Sequence, residues 1–129
     1  MNMELFKEDL MVVANSDESQ LGTAGIFRKE IKDIGNCYCA FGLVGKVNNI
    51  EPDFMTIEKE KVREYSFGHG IFIPEQLSSR YEMSKSDRRD VYHIWDDMIH
   101  REKLETKDVR KFIPRYIEAL EEFYENNHD

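Results

Sequence analysis

Two cysteines, three prolines and one tryptophan are all that this 129-residue chain contains of those types. Two thiols make no disulfide framework, and the Cys37-Tyr38-Cys39 spacing matches neither a zinc knuckle nor a thioredoxin-like motif. They read as small apolar side chains on one strand face. Long apolar runs are missing as well. The longest, CYCAFGLVG, falls far below the roughly 20 residues that cross a bilayer. The opening MNMELFKEDL is acidic on balance and lacks the apolar core of a secretory signal. Cations are in deficit, with 18 Lys and Arg against 26 Asp and Glu and a net charge of -8. Such a surface repels phosphates and anionic lipid on average. These shortages argue against a secreted disulfide scaffold, a membrane span and a general nucleic-acid binder. A cytoplasmic location is expected.

What is present is core material. Hydrophobic residues at 40% and aromatics at 12% argue against disorder. The length suits one compact domain over residues 1–129. The run Leu10–Ala14 predicts a strand covered on both faces. Ala24, Phe27, Ile31 and Ile34 recur at helical spacing, with Thr23 as N-cap and Gly35 past the end, and favour a helix, with a strand as the alternative because GTAGIF carries little helix propensity. From Cys37 the period is two, through Cys39, Phe41, Leu43 and Val47, which predicts a second strand. Phe54, Met55 and Ile57 open a third, running into the charged EKEKVRE expected at a hairpin end or exposed edge. Tyr65, Phe67, His69, Ile71 and Ile73 predict a fourth, stopped at Pro74, where a short helix opens.

The last third is helical by pattern. Ser84 and Asp87 resemble a capping box ahead of the stripe Val91, Ile94, Trp95, Met98 and Ile99. Val109, Phe112, Ile113, Tyr116, Leu120, Phe123 and Tyr124 form a second stripe, with Thr106 as cap, Asp108 near the start and a kink or break at Pro114. The expected fold is therefore α+β: a small mixed or antiparallel sheet of about four strands covered by helices, with two long C-terminal helices.

Three constellations invite chemistry. In VVANSDESQLGTAGI an apolar run meets a glycine-bearing loop and then helical spacing, an arrangement that cradles phosphate elsewhere. This stretch resembles the first strand, loop and helix of macrodomains. The resemblance covers about twenty residues and implies ADP-ribose or nucleotide binding through Asn15, Ser16, Gly22, Thr23 and Gly25, with His69 nearby. The chain lacks the second glycine-rich loop of that family. His93, Asp97 and His100 share a helix face, but the two histidines lie about 10 Å apart along the axis, too far for one ion. No nucleophile elbow, P-loop or paired-carboxylate motif appears, so catalysis has no support and neither metal nor cofactor is expected.

The third constellation is charge. Glu118, Glu121, Glu122, Glu125 and Asp129 follow Tyr116 with no Lys or Arg among them. Carboxylates at a helix C-terminus oppose its dipole, so helix stability does not explain them. They suit a solvated face or the steering of a basic partner. In size and charge the chain is similar to immunity proteins and phage-encoded inhibitors, an analogy that rests on no shared motif. The first expectation is a small acidic non-catalytic binding module for a basic protein surface. The alternative is the nucleotide-binding loop. Sequence leaves the oligomeric state open.

Overall fold

The computed structural model describes residues 1–16, 28–32, 35–38, 40–50, 54–66, 73, 75–102 and 109–126. The elements run α1 (Met3–Ala14), β1 (Arg28–Ile31), β2 (Gly35–Tyr38), α2 (Ala40–Val47), β3 (Phe54–Lys59), β4 (Val62–Ser66), α3 (Glu75–Arg80), α4 (Lys85–Glu102) and α5 (Ile113–Asn126). A 3-10 turn at Val109–Phe112 leads into α5. The described chain is mostly helical, a mixed class of helices with a small sheet.

The expected architecture, a sheet roofed by helices, is overturned. Helices pack on helices: α1 lies against α2 and α5, and α4 against α5, while the principal helix–sheet contact is β2 with α2. Among the described residues the buried core comes from Phe6, Leu10 and Val13 of α1, Phe41, Leu43 and Val44 of α2, Leu77 of α3, Val91, Trp95 and Met98 of α4, and Ile113, Tyr116 and Leu120 of α5, with Ile73 and Tyr81 beside α3. At its centre Trp95 meets Tyr116 edge-on, with ring centroids 5.0 Å apart and planes at 79°. The sheet is antiparallel in the order β2-β1-β4-β3. β3 and β4 are joined by a tight turn at Glu60 and Lys61, inside the charged EKEKVRE segment.

Three element assignments change. Leu10–Ala14 is the last part of α1 and not a strand. Five apolar residues in a row fit either state, and the deciding features lie upstream. Asn2 caps the helix by accepting from Leu5 N at 3.1 Å, and Phe6, Asp9, Leu10 and Val13 make the buried i, i+3, i+4, i+7 stripe. Within the helical spacing expected from Ala24 to Ile34, Arg28–Ile31 form the strand β1, which satisfies its backbone between β2 and β4, while 24–27, 33 and 34 lie outside the described residues. Four apolar positions did not outweigh two strand partners found far along the chain. The alternation after Cys37 stops at Tyr38, and Phe41–Gly45 turn inside α2, all five buried. An element enclosed on every side carries no solvent face, so its period is not legible.

The helix ends follow local chemistry. Ser84 and Asp87 form a reciprocal box: Ser84 N donates to Asp87 Oδ2 at 3.0 Å, and Asp87 N donates to Ser84 Oγ at 3.1 Å. Pro114 sits in the first turn of α5, where proline costs little, so the break precedes the helix. α2 and α3 close in the same way, with Ile50 N to Gly45 O at 2.9 Å and Met83 N to Ser78 O at 2.8 Å spanning left-handed residues at Asn49 (φ 59°) and Glu82 (φ 53°). Asparagine tolerates that conformation, whereas glutamate does so at a cost of about 1 kcal/mol. Glu82→Gly is therefore expected to raise stability by about 0.5–1 kcal/mol, seen as a higher denaturation midpoint with an unchanged slope.

Candidate protein-binding face

α4 and α5 pack antiparallel, pinned by two tyrosine hydroxyls that reach the first half of α4. Tyr116 Oη donates to the Val91 carbonyl at 2.7 Å inside the core, and Tyr124 Oη donates to Asp87 Oδ1 at 3.0 Å. Burial pushes the Tyr116 phenol well above its ordinary value. Burial and then the Asp87 bond do the same for Tyr124. For Asp87 burial pushes upward, but the bonds from Ser84 and Tyr124 outweigh it and hold the carboxyl below its ordinary value.

With its apolar stripe turned inward, α5 must present Glu118, Glu121, Glu122 and Glu125 outward, and all four are exposed. At 3.6 residues per turn they occupy an arc of about 100°. Among the described residues none of the four takes part in an ion pair. Arg115 lies on the same helix a turn before Glu118, and Arg101, at the end of α4, donates to Asp97 at 3.1 Å. His100 Nε2 lies 3.5 Å from Asp96 Oδ1. The triad His93, Asp97 and His100 is therefore divided, its Asp97 committed to Arg101. Among the described residues no three His, Cys, Asp or Glu side chains converge.

Asn15 and Ser16, expected in a phosphate loop, stand at the C-terminal end of α1. Asn15 is the C-cap of α1: its backbone N and its Nδ2 both donate to the Met11 carbonyl, at 3.1 and 2.8 Å. Ser16 N donates to the Val13 carbonyl at 3.0 Å, and the Ser16 carbonyl accepts from Arg110 Nη1. A macrodomain-like cradle needs a strand ahead of the loop, and the chain there is helical. Gly22, Thr23, Gly25 and His69 lie outside the described residues.

One polar cluster escaped the sequence reading. Asp9, 8% exposed, stands in the apolar stripe of α1. Its Oδ2 accepts from Tyr81 Oη at 2.5 Å and Arg80 Nε at 2.8 Å, while Oδ1 accepts from Arg80 Nη2 at 3.3 Å. Asn48 Nδ2 bridges the Val44 carbonyl at 2.8 Å and Asp9 Oδ2 at 3.4 Å. Burial pushes the Asp9 carboxyl upward, yet the Arg80 and Tyr81 hydrogen bonds and the guanidinium charge hold it below its ordinary value. Burial, then the Asp9 carboxylate, pushes Tyr81 upward. A base made weaker and an acid made weaker are poorly poised for proton transfer near neutrality. The cluster ties α1 to the ends of α2 and α3. The signal for it was a carboxylate at core spacing.

Two concavities matter here. One, of about 660 Å³, lies at the β3–β4 turn, where Lys32, Lys59, Lys61 and Arg63 alternate with Glu30, Glu58 and Glu60. Charges of both signs, open to water, lack the apolar walls that bury a small ligand. The other, of about 210 Å³, runs between α4 and α5 beside the glutamate arc. No helix among the described residues is long and apolar enough to cross a membrane. No protein-family model, curated protein or solved structure matches the chain.

Proposed function

We propose that this protein is a small, acidic, non-catalytic binding module of the inhibitor or immunity-protein kind, whose α5 face engages a basic surface on a protein partner. The observation that carries this reading is the exposed arc of Glu118, Glu121, Glu122 and Glu125, carboxylates spaced i, i+3 and i+4 that repel one another and that no ion pair among the described residues consumes. A cluster of like charges that neutralises nothing among the described residues is suited to an external cation.

Affinity capture from the native host supplies the partner, and stopped-flow association tests the mechanism. Replacing all four glutamates by lysine is expected to slow association by about 10- to 1,000-fold at low salt and to flatten its salt dependence. Because all four sites are exposed and lysine suits the last turn of α5, the variant should denature within a few degrees of the parent. An unchanged association rate would remove the steering role.

A further inference from the structure

We infer that the occupant of this face is an amphipathic helix of the partner, seated in the groove between α4 and α5, an inference that rests on the acidic-face reading above. The groove holds about 210 Å³, below the 300–1,000 Å³ typical of small-molecule pockets. It offers room for one or two anchoring side chains. Its floor is Ile94, Met98 and Ala119, contributed by both helices. Met98 is buried and Ile94 and Ala119 half-buried, so the floor is apolar but reachable.

The walls carry the charge. Glu118 and Glu122 line the α5 side, with Glu125 one turn beyond. An apolar side chain over Met98 with Lys or Arg a turn away on the Glu122 side satisfies floor and wall together. Spacing of i, i+3 and i+4 on one face is what a helix provides. Direction follows from the far end, where Arg101 and Arg115 face each other across the groove. The partial negative charge of a helix C-terminus belongs beside those guanidinium groups, and its N-terminus beside the glutamates. The docked helix thus runs parallel to α4. A second copy of the chain fits less well, because it would bring Glu121 and Glu125 against carboxylates of the same face.

The test uses the full chain, with methyl groups of Ile, Met and Ala followed by NMR. Three synthetic peptides of about four helical turns serve as probes: Leu/Lys amphipathic, Lys/Ser of equal charge, and Leu/Glu. The Leu/Lys peptide is expected to shift Ile94, Met98 and Ala119 saturably and to bind about tenfold tighter than Lys/Ser, the effect of burying one leucine. Leu/Glu should not bind. Ala119→Gln, a helix-tolerant substitution that fills the groove, should reduce Leu/Lys to the Lys/Ser affinity while leaving Lys/Ser binding unchanged. Equal affinity of the two lysine peptides overturns the groove and leaves the acidic face standing. Binding by neither overturns both. Groove shifts that grow with protein concentration alone assign the groove to a second copy and overturn the inference.

Discussion

Asp9→Ala is expected to lower the free energy of unfolding by about 2–3 kcal/mol, which is more than any single bond to this carboxylate supplies. The substitution removes the acceptor shared by Arg80 and Tyr81. The Arg80 side chain is 39% exposed and regains water, which limits its share of the loss. Tyr81 is fully buried, and its hydroxyl is left with the weak 3.4 Å contact to Asn48. Tyr81→Phe should therefore cost less, about 1–2 kcal/mol, and Arg80→Ala about 1 kcal/mol or less. Urea midpoints at constant slope check the ranking.

The same residue sets a pH signature. The folded-state value of Asp9 lies below its unfolded value, so its contribution is complete above the ordinary carboxylate range near 4. It is lost as pH falls through that range and on through the depressed folded-state value. Asp87 acts in the same sense. The stability gap between the parent and Asp9→Asn should be widest near pH 7 and narrow steadily on acidification below about pH 4–5. A gap that stays constant down to pH 3 would mean that the carboxylate's charge is not what stabilises the cluster.

Trp95→Ala carries the largest expected loss, about 3–5 kcal/mol, because the indole is fully buried between α4 and α5 and packs against Phe41 and Tyr116. For a chain of this length that is a drop of roughly 10–20 °C in melting temperature. Trp95→Phe should cost much less. Trp95 Nε1 is buried with no hydrogen-bond partner among the described residues, so the smaller ring sheds that donor while it loses volume. Since this is the one tryptophan in the chain, its fluorescence reports core unfolding in the parent, and far-UV circular dichroism must follow the variants. An alanine variant as stable as the phenylalanine variant would show that the core collapses around the gap.

Local chemistry was legible where a few adjacent residues decide the outcome. Ser84 and Asp87 announce the start of α4, and Tyr116, Leu120 and Tyr124 place the inner stripe of α5 and so the outward direction of its glutamates. Leu10–Ala14 misled because Met11 and Val12 put apolar side chains on the exposed face of α1, and Phe41–Gly45 because all five are buried; in both, no polar face marks the period. β1 misled for the opposite reason: its helix-like spacing was genuine but weak, and pairing with β2 and β4 outweighed it.

By itself, the amino-acid order determined the composition of the core, the excess of carboxylates and the helical stripes of the last third, because each depends on neighbours within a turn or two. Tertiary structure alone decided that helices and not the sheet form the centre, that Asp9 meets Arg80 and Tyr81 across 71 and 72 residues, and that Arg101 and Arg115 close one end of an acidic groove. Those outcomes depend on contacts between distant segments, whose closure free energy is weighed only when the whole chain has folded.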